Sequence, residues 1–187
     1  MYRNLENIDQ RIIDEFVKQS AENGITNTTA RTISKALGIS DFTIFSHFQT
    51  IEGLRRSAYS YVVNKIVEEE IQIGDQIDSA TKLFDWLFDY FMRNPNETLF
   101  YKEALPMIGF TPQKMEGEYP RYLKFVKNYI PISEGMNDSE CLLVFDFILN
   151  TLINYASRVV KGEFQNVKSF RQIIKRLVFN SLIDDVV

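Results

Sequence analysis

A single cysteine, Cys141, and a single histidine, His47, stand in 187 residues. One cysteine cannot close an internal disulfide, and one Cys with one His cannot complete a zinc site of the Cys/His type. No metal or cofactor is therefore expected, and the lone thiol fits a reducing cytoplasm. The first residues, MYRNLENIDQR, hold no apolar stretch of the signal-peptide kind. No apolar run approaches the length of a membrane span, so no membrane partner is expected. No Ser/His/Asp set, Cys/His pair or glycine-rich phosphate loop is present, which argues against an enzyme. There is no internal repeat and no low-complexity tract. Positive charge is not in excess either. The formal net charge of -4 excludes a generally polycationic nucleic-acid coat, though not a local basic surface. Residues 1–60 carry seven Lys/Arg and seven Asp/Glu, so the whole deficit lies beyond them.

What is present is helical spacing. Apolar residues make up 45% of the chain, enough for a substantial core. Ile8, Ile12, Ile13, Phe16 and Val17 share one helical face. Asn7 with Gln10 reads as a capping box before them, and Gly24 as their stop. Short segments follow from Thr29 to Leu37 and from Ser40 to about Phe48, then a longer one from Ile51 to about Glu70. Ala80, Leu83, Phe84, Leu87, Phe88, Phe91 and Met92 form the most regular stripe. Asn94-Pro95-Asn96-Glu97 then supplies cap, N1 proline and N3 glutamate for a helix ending near Pro106. Pro106 to Gly117 reads as a loop. Tyr119, Tyr122, Leu123, Val126 and Ile130 mark a further helix. Asn137 with Glu140 caps a long one through Val160, and Phe170 to Leu182 form the last. Nothing alternates with period two for long enough to make a strand. The expectation is an all-α chain of about nine helices, with a boundary near residue 50 dividing residues 1–50 from 51–187.

The short helices carry the sharper signal. Thr28 or Thr29 can cap a helix whose inner face is Ile33 and Leu37. Gly38 permits the left-handed backbone of a tight turn, Ile39 plugs the core, and Ser40 caps the next helix. That is helix-turn-helix grammar, in which the second helix enters a major groove. The stretch TTARTISKALGISDFTIFSHFQTIEGL, Thr28 to Leu54, resembles the N-terminal motif of the TetR family of transcriptional regulators. The spacing of Thr28, Thr29, Ile33, Gly38, Ile39, Ser40, Thr43, His47, Phe48, Glu52 and Leu54 is kept without gaps. Three positions depart from the family pattern, with Phe42 for its glycine, Phe45 for its tyrosine and Ile51 for its lysine. The candidate DNA-contacting residues are Thr29, Arg31, Lys35, Ser40, Asp41, Phe42, Thr43, Phe45, Ser46, His47 and Gln49, with Arg55 and Arg56 as further phosphate ligands. Asp41, in the first turn, favours the helix dipole and can accept from cytosine N4. Phe42 can touch thymine methyls. His47, beside Phe48, reads as a partly buried capping or phosphate-contact residue.

The remainder is rich in aromatic residues. Trp86 and Tyr90 lie one turn apart beside the main stripe, and Phe100, Tyr101, Tyr122, Phe125 and Phe147 add to the set. Asn150 and Asn154, one turn apart on an otherwise apolar helix, are the polar candidates. Singly these read as ordinary core; together they suit an apolar small-molecule cavity. The TetR resemblance implies an effector pocket between these helices. It also implies a dimer in which the helix from Cys141 to Val160 and the last helix form a four-helix interface, presenting two reading helices to a palindromic operator. The expected function is a cytoplasmic, homodimeric, ligand-responsive regulator of the repressor kind, with operator DNA and a small effector as partners. The alternative, which Phe42, Phe45 and Ile51 support, is a small-molecule-binding or protein-interaction module of the same fold with weakened or lost DNA binding.

Overall fold

The computed structural model describes residues 3–73, 77–108, 123, 126–127 and 135–180. Among these residues there are eight helices and no strand: α1 (Arg3–Asn23), α2 (Ala30–Leu37), α3 (Asp41–Phe48), α4 (Ile51–Ile73), α5 (Ala80–Arg93), α6 (Pro95–Ile108), α7 (Asp138–Val160) and α8 (Lys168–Asn180). Leu123, Val126 and Lys127 are also helical. The all-α expectation holds; the loop expected from Pro106 to Gly117 is helical as far as Ile108, and its remainder and most of the helix expected around Tyr119, Tyr122 and Ile130 lie outside the described residues.

Local chemistry explains most of the boundaries. Gly24, at φ 89°, ends α1 in a backbone that other residues avoid. The start of α1 differs from expectation. The helix runs through residue 7, and Gln10 donates forward to Asp14 Oδ1 at 2.8 Å, so it does not turn back as a cap. Asn137 and Glu140 do form the expected reciprocal box, with Glu140 N–H donating to Asn137 Oδ1 at 3.1 Å and Asn137 N–H to Glu140 Oε2 at 2.8 Å. Pro106 sits inside the last turn of α6, which continues to Ile108.

The chain divides into two compact units. The first holds residues 1–72 together with Asn94–Ile108; the second holds Ile73–Arg93 with Gly109–Val187. In the first, α6 packs along α1, which in turn packs on α2. Ile12, Phe16, Ile33, Ile44, Leu54, Val62 and Phe100 are wholly buried there. Each contributes about 1.5–3 kcal/mol of transfer free energy. Phe16 meets Phe100 edge-on at 5.8 Å, and Tyr59 of α4 lies against Tyr101 of α6 at 5.5 Å. A carboxylate oxygen of Glu103 accepts the Ile25 backbone N–H at 2.8 Å, fixing the turn after α1.

In the second unit α7 packs against α5 and α8. Its inward face is Cys141, Val144, Phe145, Ile148, Leu149, Leu152 and Ile153. Arg171 on α8 binds Asp89 on α5 at 2.6 Å, and Lys175 pairs with Asp85. One expectation needs correction here. By length and mean hydropathy (1.3 over 18 residues), α7 is apolar enough to cross a membrane. The sequence hid this because Asp146 interrupts the run; in the fold α7 is the central helix of this unit, covered along one side.

Candidate nucleic-acid interface

The corner between α2 and α3 is built by short-range chemistry. Thr29 Oγ1 accepts from Thr32 N–H at 3.2 Å, and the Thr32 hydroxyl accepts in return from Thr29 N–H at 3.2 Å. Gly38 closes α2 at φ 67°, with its own N–H donating to Ser34 O. Ser40 caps α3 by accepting from Thr43 N–H at 3.1 Å. Ile44, fully buried, anchors α3 inward. With α3 pinned on that side, Phe42, Phe45, Ser46 and Gln49 fall at i, i+3, i+4 and i+7 and all are exposed.

The acidic groups of this surface are each held. Ser34, buried on α2, donates its hydroxyl to the Asp41 carboxylate, stapling the start of α3 to the preceding helix. Asp9 of α1 pairs with His47 Nδ1 at 2.5 Å. Glu52, in the first turn of α4, pairs with Arg55 at 2.6 Å and Arg56 at 3.6 Å. Arg31 and Lys35, exposed on α2, make no ion pair among the described residues. Among the described residues the corner thus presents Arg31 and Lys35 without an ion pair, beside carboxylates that are each engaged by a neighbour, and those two cations are the groups suited to a phosphate backbone.

The passage from α3 to α4 is tight. Gln49 has φ 64° and ψ −47°, and Thr50 N–H donates to Phe48 O at 2.7 Å, a γ-turn of three residues. Thr50 Oγ1 then caps α4 by accepting Gly53 N–H at 2.9 Å. A Cβ on Gly53 would sit 2.2 Å from the Phe48 carbonyl oxygen, so only glycine fits.

All eleven candidate contact residues lie on α2, α3 or their caps, but their roles differ. Thr29 and Ser40 are caps. Asp41 is engaged with Ser34, and His47 is half-buried against Asp9. Thr43 is half-buried, its hydroxyl 2.9 Å from that of Ser40, and Ser46 donates back to Thr43 O at 2.8 Å. Arg31, Lys35, Phe42, Phe45 and Gln49 remain outward, with no side-chain hydrogen bond or ion pair among the described residues. Sequence reading missed Asp9, Ser34 and Gly53, whose parts depend on neighbours that only folding supplies.

The expected effector residues divide between the two units. Phe100 and Tyr101 are buried in the first unit, packed on Phe16 and Tyr59 as core. Trp86 and Tyr90 stand together in the second unit at 6.0 Å, and the buried Trp86 Nε1 finds no acceptor among the described residues. Phe147, Asn150 and Asn154 point outward from α7, the reverse of the expected cavity lining, because the inward face of that helix is already filled by aliphatic residues. Asn150 satisfies itself on Asp146, donating to its backbone oxygen at 2.9 Å and Oδ1 at 2.8 Å. Tyr122 and Phe125 lie outside the described residues. An apolar crevice in this unit is lined instead by Leu83, Phe84 and Leu87 of α5, Ile148 and Leu152 of α7, and Phe179 of α8.

A capped, glycine-bent pair of helices with its second member turned outward is a helix-turn-helix corner, and the chain holds a second helical unit besides. Residues 12–58 match the family model described as bacterial regulatory proteins, tetR family. The whole chain has the fold of a TetR family transcription regulator from Marinobacter aquaeolei VT8, with a TM-score of 0.72 at 14% identity over 97% of this chain and 98% of that one. A TetR-like transcriptional regulator from Rhodococcus sp. RHA1 is similar in fold at a TM-score of 0.64 and 14% identity, over 92% and 94% of the two chains. No curated protein matches in sequence. The TetR resemblance read from Thr28 to Leu54 is thereby borne out, for the N-terminal segment by sequence and for the rest by fold.

Proposed function

We propose that this chain is a dimeric, cytoplasmic transcription regulator that binds a palindromic operator and is released from it by a small, mostly apolar effector. Residues 1–50 read DNA in this proposal, and residues 51–187 dimerise and sense the effector, with α6 lending its apolar face to the reading unit. The observation that carries it is the surface around α3, with exposed reading positions, Arg31 and Lys35 beside them without an ion pair among the described residues, and Asp9, Asp41 and Glu52 each engaged within the fold, by His47, the Ser34 hydroxyl and Arg55 respectively. Effector sensing rests on the family resemblance; the apolar crevice between α5, α7 and α8, at about 10 Å³, is too small to admit an effector unless these helices move apart. An effector acts as inducer only by binding the DNA-incompetent state more tightly.

The test is a gel-shift series on duplexes selected from a random pool, run at about 50 and 200 mM salt. Specific, salt-sensitive retention of a palindrome is the expected result, with affinity falling at least tenfold across that range. The second reading, a module that has lost DNA binding, is favoured by the exposed aromatics and by Ile51 where a cation would reach phosphate. It prevails if no duplex is retained above the non-specific level.

A further inference from the structure

We infer that Phe42 and Phe45 read the operator through thymine C5-methyl groups, so that each half-site is recognised by apolar contact rather than by a hydrogen-bond code. The inference rests on the DNA-binding reading above and names what that surface selects.

Two aromatic rings point away from the fold, Phe42 exposed to 78% and Phe45 to 42%, on the same face of α3. Phe42 stands in the first turn, the end of a reading helix that approaches base edges. Several of the groups that would ordinarily carry a donor–acceptor code already make one bond within the domain, which restrains their orientation toward base edges. Asp41 accepts from Ser34, Ser40 and Thr43 bond each other, Ser46 donates to Thr43 O, and His47 is paired with Asp9. Only Gln49 keeps a free amide, at the far end of the helix. In the major groove the one apolar feature of a base pair is the thymine methyl, and Phe is among the residues that contact it. The surroundings select DNA as the occupant over an apolar protein face. Arg31 and Lys35 on the adjoining helix suit phosphates, while Glu52 is ion-paired with Arg55 and the Asp41 carboxylate is tied back to Ser34.

The experiment uses the full chain. Duplexes selected from a random pool should carry at least one fixed T·A pair in each half-site. Replacing that thymine by deoxyuridine removes only the methyl, and should weaken binding about fourfold per half-site. Replacing T·A by 5-methylcytosine·G restores a methyl at C5 with a different hydrogen-bond pattern, and should bind more tightly than the unmethylated C·G duplex. F42A and F45A, at exposed positions, should each discriminate less between the thymine and uracil duplexes, and F42A/F45A should bind them equally. A selected palindrome that wild type binds equally with thymine or uracil overturns this inference and leaves the DNA-binding reading standing. A pool that yields no preferred duplex overturns both, and assigns the aromatic face to a protein partner.

Discussion

Ser34 and Asp41 illustrate how one side chain can serve the fold while protecting a function. A carboxylate at the start of a reading helix would repel phosphate, yet it suits the helix dipole, and the Ser34 hydroxyl holds it. S34A should leave Asp41 unheld and weaken operator binding up to about fivefold, while S34A/D41N should recover it. Equal binding by S34A and wild type in a fluorescence titration would remove this role. Gly53 makes the opposite point about generic rules. Within a helix, Gly to Ala ordinarily stabilises by about 0.5–1 kcal/mol. Here the new methyl would strike the Phe48 carbonyl oxygen, so G53A should instead destabilise by about 1–3 kcal/mol, read as a lowered urea midpoint. The caps at Thr29 and Ser40 and the turn at Gly38 were legible because both partners lie within four residues. Asp9 with His47, and Gly53 with Phe48, were not, since the first pair meets across 38 positions and the second depends on a γ-turn at Gln49 that no residue type announces.

Helix α6 shows what periodicity leaves open. Its start was plain from Asn94-Pro95-Asn96-Glu97, and its apolar positions were readable as spacing. Spacing cannot say which neighbour covers a face, and α6 proves to pack on α1, with Phe100 against Phe16. Lys65 of α4 pairs with Glu97 of α6 and joins the same unit. Burial pushes the Lys65 amine down, but the hydrogen bond to Glu97 and its charge outweigh this and hold the amine above its ordinary value of 10.5. Burial also raises the Tyr61 phenol above 10.0, ahead of the opposing pull of Lys65. Both shifts have one sign for stability. A raised lysine contributes in full below pH 10.5 and loses that contribution as pH climbs through its folded value. A raised tyrosine likewise penalises the fold once the unfolded phenol ionises above pH 10.0. The thermal midpoint should therefore be flat near neutrality with respect to these groups and fall above about pH 10. K65M should lower stability at pH 7 by about 1 kcal/mol and make the alkaline fall shallower. A K65M curve parallel to wild type above pH 10 would show that the pair does not drive it.

At the scale of the whole molecule the question is what covers α7 and α8. The sequence of α7 is apolar nearly all round, which called for cover on two sides. Among the described residues, α5 and α8 cover the face of α7 that carries Cys141, Phe145, Ile148 and Leu152. Leu143 is 71% exposed, Ile173 is 57% exposed, and Phe147 and Leu177 are exposed with them. Four large apolar side chains on two helices, outside the core yet clear of Arg171 and Lys175, fit self-association of this surface about a two-fold axis. Pairing two copies would bring two α3 helices to one palindrome, and the second contact would then form at high effective concentration. L143E should therefore leave helix content by circular dichroism unchanged, since the residue is exposed in the single chain. The same change should convert the protein to a monomer in sedimentation at about 10 μM and cost about 100-fold or more in operator affinity. If L143E/L177E still sediments as a dimer, the two-fold interface lies elsewhere. If the wild type is itself monomeric at that concentration yet binds a palindrome tightly, the two copies assemble only on the duplex, and the exposed faces of α7 and α8 must find their cover there.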